Sequence, residues 1–478
     1  MQTRPVRDGF VVALTSALLG LAVAAFRATR SRWSLPAAAA LLGCAGGAAA
    51  MAMHLAALHR GPVASYARTS SAVQLQLTVV RDPVEVRAST GRGLTVIDAT
   101  VHAVRRDDGE WLADRAPVTM FAVAGHWLGL LPGQRVTVDA RLRPARAGDL
   151  VAAVAFVSSD PQLAGRPPLL QRWAGRIRSA LRTVCGGLGA DERGLVPGLV
   201  LGDVAAMPPD LTTAFRMTGL THLCAVSGAN CAIVVGAVLA ALRWAGARRR
   251  LRAVLAGLAL PAFVVLVRPS PSVLRAALMG GLVLTADVLG RRSASIPVLS
   301  ATVFALVLVD PFLARSPGFA LSVAATAAIV LLAPRWTRRL ARVMPQPMAA
   351  AVAVPAAAQL ACTPILVAAF GQLTPLAVVA NLLAAPAVAP ATIVGIGCAL
   401  LAVVNAHAAA ALAFVAGLAA GWLAVVARTL AALPGAGLRG PSGIAGVALV
   451  GGLGAAGWLV AHALRRHRDR AMLGPCPR

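Results

Sequence analysis

The chain has 478 residues, 58% of them hydrophobic, with mean hydropathy +0.74 and a formal net charge of +27. Soluble globular chains are about 45–50% apolar, so this composition excludes an ordinary soluble globule and points to lipid-facing helices. The 45 cations are all arginine, which excludes an acidic, solvating chain and leaves two partners for the charge, anionic lipid or a polyanionic cargo.

The cysteines, Cys44, Cys185, Cys224, Cys231, Cys362, Cys398 and Cys476, show no CxxC spacing, so no zinc site is expected. Cys224 and Cys231 read as small packing residues.

In chain order, apolar runs predict about eleven spans, with some short or tilted. They lie near 9–26, 36–58, 220–242, 251–267, 272–290, 296–309, 318–333, 347–369, 376–403, 407–431 and 443–464. The first run is followed by arginines rather than by a cleavage site, so it reads as a span and not a leader. Arginines cluster in alternate loops: Arg27, Arg30 and Arg32; Arg243 and Arg248 to Arg252; Arg291 and Arg292; Arg335 to Arg342; and Arg465 to Arg470. All five fall on one face, which the positive-inside rule makes cytoplasmic.

The expected domains are two N-terminal spans in 1–60, an extracytoplasmic domain in 66–160, an amphipathic interfacial helix in 163–188, a channel domain in 190–465 and a basic cytoplasmic tail in 466–478. The segment 66–160 changes character. Val73, Leu75, Leu77 and Val79 alternate with Gln74, Gln76 and Thr78, the period of a half-buried strand. Further strands are predicted over 94–104, 118–123, 134–143 and 151–157, separated by Gly, Asp and Pro turns. About five short strands suggest a small barrel of the OB type. Trp111, Phe121, Trp127 and Phe156 are candidates for stacking on nucleic-acid bases, although a structural cap is the plainer role. In 163–188, Leu169, Leu170, Trp173, Ile177, Leu181 and Val184 recur at helical spacing, with Arg172, Arg176, Arg178 and Arg182 in the other positions, as in a helix lying on a membrane.

Polar side chains inside spans are costly and are functional candidates by default. The densest group runs from Gly202 and Asp203 through His222 to Ser227, Gly228 and Asn230. Ser227 and Asn230 are helix neighbours, and His222 falls near the same face, so the group makes a polar stripe. Such a stripe suits a water-filled path or, more plainly, interhelical hydrogen bonds. Ser272 and Arg275 share a face one turn into the next-but-one span. Arg275 either snorkels or faces inward, where it needs a carboxylate such as Asp203 or Asp310, or a phosphate. Gln359, Gln372 and Asn381 follow. Pro386 and Pro390 predict a kink or break in the span over 376–403.

In this order, several motifs resemble the ComEC family of competence proteins over roughly residues 190–405: Gly202-Asp203, Thr218-Gly219-Leu220-Thr221-His222-Leu223, Val226-Ser227-Gly228-x-Asn230, Pro271-Ser272 with Leu274-Arg275-Ala276, Asp310-Pro311, Gly318-Phe319 with Leu321-Ser322, Gly371-Gln372 and Asn381-Leu382. The family often has His at the position of Asn230 and Gln at that of Ala320. The resemblance implies a polytopic α-helical membrane protein with a small extracytoplasmic OB-like β-barrel, sited in the cytoplasmic membrane. It implies a channel that passes single-stranded DNA inward during transformation, bounded by lipid. It also implies a DNA receptor, a cytoplasmic helicase or motor and a separate nuclease as partners. Many members end in a metallo-β-lactamase-like domain. No HxHxDH pattern occurs in this sequence, so a variant without that domain, with no metal, cofactor or catalytic residue, is expected. The resemblance makes Gly202, Asp203, His222, Ser227, Gly228, Asn230, Ser272, Arg275, Gln372 and Asn381 the DNA-path residues.

Two other classes fit some residues. Broken helices with buried polar groups also suit a small-molecule or lipid transporter, though no inverted repeat is visible. An intramembrane serine hydrolase would need a base for Ser227, and His222 lies about 140° round the helix from it.

Overall fold

The computed structural model describes residues 34–87, 93–106, 109–123, 126–146, 149–224, 228–288, 295–449 and 451–452. The first apolar run, Ser227, Arg291, Arg292 and most of the last run lie outside them.

Helix α1 (Ser34–Arg60) leads through α2 (Pro62–Arg68) into a sheet domain. Pro62 suits the first turn of α2, where its missing N–H costs nothing. Asp114 caps that turn from a distant strand, accepting from the Val63 N–H at 2.8 Å. The strands are β1 (Ala72–Val79), β2 (Val84–Arg87), β3 (Gly93–Arg105), β4 (Leu112–Val123), β5 (Arg135–Pro144), β6 (Ala153–Val157) and β7 (Gln162–Leu163). All five strands read from the sequence are present, with two short ones added, β2 and β7. Val73, Leu75, Leu77 and Val79 point into the core, as alternation requires. Pairings run β1–β3, β3–β4, β4–β6, β6–β5 and β5–β1, all antiparallel except β4–β6.

Trp127 is not a surface aromatic. It is 1% exposed in the core of this domain, with its indole N–H donating to the Ser159 carbonyl at 3.3 Å. An apolar ring in a small domain gains more from burial than from display. Phe156 is exposed and stacks on Phe121.

The helical part follows: α3 (Leu169–Cys185), α4 (Ala190–Leu201), α5 (Pro209–Met217), α6 (Thr221–Cys224), α7 (Gly228–Trp244), α8 (Arg249–Val267), α9 (Pro271–Val288), α10 (Ser295–Val309), α11 (Pro317–Leu331), α12 (Ala333–Leu340), α13 (Gln346–Phe370), α14 (Ala377–Leu401) and α15 (Ala406–Ala431). A two-residue ladder, β8 (Gln372–Leu373) with β9 (Leu438–Arg439), joins the loops beside α13 and α15.

Among the described residues, α8, α13, α14 and α15 are long and apolar enough to cross a membrane, and the bent pair α11–α12 makes a fifth candidate. The runs expected over 220–242, 272–290 and 296–309 form shorter apolar helices. Within the first, α6 and α7 flank residues 225–227, which lie outside the described residues. The break expected at Pro386 and Pro390 does not occur; α14 runs unbroken from Ala377 to Leu401. Packing on α15 holds it together. Ala380, Ala384, Ala387 and Ala391 face Ala413, Ala416, Ala420 and Ala424 in one buried core. Small residues allow two backbones to approach closely where lipid supplies no hydrophobic drive.

The sheet domain meets one set of helix ends. Phe312, in the short 3-10 turn Pro311–Arg315, packs against the sheet core and edge-on to His54 of α1. Arg268, just past the end of α8, pairs with Asp82 in the loop after β1. Arg249, at the other end of α8, therefore lies about 27 Å away at 1.5 Å per residue. By the same reasoning, Arg335, Arg338 and Arg339 on α12 lie at the far end of α11.

Candidate functional site

Three polar clusters stand where the sequence places its candidates. The first surrounds Arg275. Pro271 starts α9, which sets Arg275 one turn in, against α11 and the start of α7. Arg275 is 5% exposed. Its Nε and Nη2 donate to the Ser322 hydroxyl at 3.0 and 2.6 Å, and Nη1 lies 3.2 Å from the Met279 sulfur. Gly228 packs on it; a Cβ there would stand 3.4 Å from Nη2. Among the described residues no carboxylate pairs with Arg275. Neither expected partner serves: Asp310 accepts from the Phe312 N–H and caps a turn, and Asp203 belongs to other arginines. Arg275 does not snorkel. It is a buried cation whose neighbours are a hydroxyl and a thioether, an arrangement that favours an anion. Ser272 lies one turn earlier, half-buried.

The second cluster was not legible as a unit. Gly202 ends α4 in the left-handed region at φ 69°, and Asp203 follows, 9% exposed. Asp203 Oδ2 lies 2.8 Å from Arg182 Nε, a close ion pair without aligned hydrogen-bond geometry, and 3.6 Å from Arg178 Nη2. Arg178 Nη1 donates to the carbonyls of Leu201 at 2.9 Å and Leu266 at 3.3 Å, the last turns of α4 and α8. Its Nη2 also approaches Asp82 at 3.6 Å. Arg268 grips Asp82 with both Nε and Nη2, at 2.9 and 2.8 Å, and donates to Gln171. Burial pulls the Arg178 guanidinium below its ordinary value, and Asp203 and Asp82 push it back.

Arg178 does not share the exposed polar face expected of the arginines in 163–188. The buried stripe of α3 is Ala174, Arg178, Leu181 and Cys185, whereas Leu169, Leu170 and Trp173 stay exposed. Arg178 carried one usable signal. It falls on the i, i+3, i+4 row of Ala174, Leu181 and Cys185 rather than opposite it. Asp82 and Arg268 carried none, because only the fold brings residues 186 apart together.

The third cluster joins α6, α13 and α14. The His222 Nδ1 lies 2.9 Å from the Gly219 carbonyl, and the Asn381 side chain reaches the same ring. Asn381 Nδ2 also donates to Ala377 at 2.8 Å. Gly219, at φ 73°, packs against Ala377 and Thr374, and Gln359 donates to Thr374 at 3.1 Å. Gln372 lies in the ladder opposite Arg439.

The stripe expected from His222 to Asn230 runs through residues 225–227, which lie outside the described residues. Asn230 stands on α7, 3% exposed, donating to the Leu199 carbonyl at 3.0 Å. His222 and Asn381 meet; Gly228 and Arg275 meet; Asp203 stands in the charged cluster; Gln372 stands apart. Among the described residues no group of three or more His, Cys, Asp or Glu is placed to hold a metal.

Residues 199–465 match the family model described as "Competence protein". Over 141 residues the chain is 32% identical to ComE operon protein 3 of Bacillus subtilis (strain 168), covering 30% of this chain and 18% of that one. The match thus spans under a fifth of the relative's length. No solved structure matches. The family match covers more than half of the sequence and contains the Arg275, Asn230 and His222 clusters, and the chain belongs to the ComEC family of competence proteins.

Proposed function

We propose that this chain is a multi-pass protein of the cytoplasmic membrane that passes single-stranded DNA into the cell during transformation, acting as a conduit and not as an enzyme. The observation that carries the reading is Arg275. A guanidinium buried among apolar helices without a carboxylate is costly unless an anion passes or resides beside it. Phosphates moving through a low-dielectric slab need such fixed positive charge. Gly228 and Ser322 beside it, with the separate polar groups of Asn230, His222 and Asn381, would line the path once α7, α9 and α11 part.

The orientation follows from charge. Arg249, Arg335, Arg338 and Arg339 lie at helix ends remote from the sheet domain, so a cytoplasmic arginine face leaves that domain outside. We read the domain as OB-like, supported by the ring of pairings with its single parallel pair, β4–β6. A span count near eleven extends the described helices with runs outside them. A DNA receptor, a cytoplasmic motor and a separate nuclease complete the proposed machinery.

The test is genetic. Deleting the gene in a transformable host should abolish entry of labelled DNA, and this chain alone should restore it. Unimpaired uptake in the deletion strain would sink the reading. So would normal uptake of DNA coupled with lost import of a small solute.

A further inference from the structure

We propose that the sheet domain positions the end of α4, and through it Asn230, by a charge latch in which Asp82 holds Arg268 and Arg178. The latch rests on the reading of the Asn230 and Arg275 region as the DNA path, and makes Arg178 and Asp82 positioning residues for it.

Asp82 lies in the loop between β1 and β2, so it moves with the sheet domain. Each of its oxygens is engaged. Oδ1 takes Arg268 Nη2 at 2.8 Å, and Oδ2 takes Arg268 Nε at 2.9 Å and faces Arg178 Nη2 at 3.6 Å. Three guanidiniums, Arg178, Arg182 and Arg268, share two carboxylates, Asp82 and Asp203. Removing Asp82 leaves Arg268 without a carboxylate among the described residues and leaves Arg178 with Asp203 alone. A half-satisfied buried charge network is unstable, so the arginines must rearrange.

The backbone of Arg268 is strained. Its φ of 72° with ψ 141° is a backbone region that favours glycine, and such conformations persist only where the surroundings hold them. Here the surroundings are Asp82 and Gln171 on its side chain.

Arg178 carries the movement inward. It donates to the Leu201 carbonyl at 2.9 Å. Two residues earlier, the Leu199 carbonyl accepts from Asn230 at 3.0 Å. Both bonds hang on the last turn of α4, which ends at the left-handed Gly202. The route from Asp82 to Asn230 thus consists of two side chains and one helical turn. It gives the outer domain a mechanical hold on the start of α7, where Gly228 packs on Arg275.

Hydrogen exchange on the full chain in lipid nanodiscs tests this. Asp82→Asn should speed exchange roughly tenfold in peptides covering 197–204 and 228–232, as loss of a charged tether to a local opening unit would. Asp82→Glu should keep parental rates. Arg178→Gln, which cuts the route between Asp82 and the end of α4 while leaving the Asp82–Arg268 pair, should give the same pattern as Asp82→Asn, and serves if that variant fails to accumulate. Faster exchange confined to 80–87, with 197–204 and 228–232 unchanged, overturns the latch. DNA uptake measured in parallel separates the two ideas. Raised exchange at both peptides with parental uptake upholds the latch and defeats the DNA-path reading beneath it.

Discussion

Replacing Arg275 with methionine separates a structural arginine from one kept for a passing anion. Methionine fills similar apolar space and removes the charge. In the folded chain the guanidinium gains two charge-assisted hydrogen bonds, both to the one Ser322 hydroxyl. At about 1.5–3 kcal/mol each they give at most about 3–6 kcal/mol, less for sharing one oxygen. Burying the unpaired charge costs several kcal/mol. The two nearly cancel, so Arg275→Met is expected to shift stability by no more than about 2 kcal/mol, in either direction. Transport should respond differently. Loss of one charge-assisted bond to phosphate at about 1.5–3 kcal/mol, with about 1.4 kcal/mol per tenfold, slows entry by roughly tenfold to a hundredfold. The assays are thermal unfolding of the purified protein in detergent and import of fluorescent DNA by cells in which this chain is the sole copy. DNA bound at the cell surface should be unchanged. Import within about threefold of the parental rate, at normal protein level, refutes the argument. Collapse of the protein refutes it too, since Arg275 would then be a brace.

Gly194 permits the backbone of Ala206 and Met207 to approach; a Cβ would stand 2.5 Å from each. Gly194→Ala is therefore expected to cost about 1–3 kcal/mol, read as a lower unfolding temperature, whereas Gly281→Ala, with nothing within 4 Å, should not. Burial first, and then Arg135 and Arg115, hold the His102 imidazole below its usual 6.5. The unfolded chain takes up a proton at that position before the folded domain does. The sheet domain should therefore lose stability as pH falls from 6.5 toward the lower folded value, with no effect above that window. Pulse proteolysis across pH should show this, and His102→Gln should flatten it. A cysteine at Glu110 is expected to react with an impermeant maleimide in intact cells and one at Arg342 not to; the reverse pattern inverts the proposed orientation. Purified protein with manganese, magnesium or zinc is expected to leave labelled DNA intact, and metal-dependent cutting that survives repurification would give the chain an activity this reading denies it.

The sequence by itself determined what depends on local periodicity. Alternation in Val73, Leu75, Leu77 and Val79 placed β1 and its buried face, and apolar runs placed α8, α13, α14 and α15 within a few residues. Motif order was enough to identify the family. Local signals failed where tertiary packing competes with them. Pro386 and Pro390 predicted a kink or a break, and an alanine interface with α15 keeps α14 unbroken. Trp127 looked like a stacking surface until the core of its own domain claimed it. The row of Ala174, Leu181 and Cys185 set Arg178 apart from the other arginines of α3, but only the fold supplied the two helix ends it holds. The partners of the charged residues were decided entirely by tertiary structure. Asp203 goes to Arg182, Asp82 to Arg268, and Arg275 to a serine, across separations that no spacing rule reaches. Secondary structure follows from chemistry repeated along the chain. A buried charge finds its partner only when distant segments pack, because the cost of leaving it unpaired arises only once water is gone.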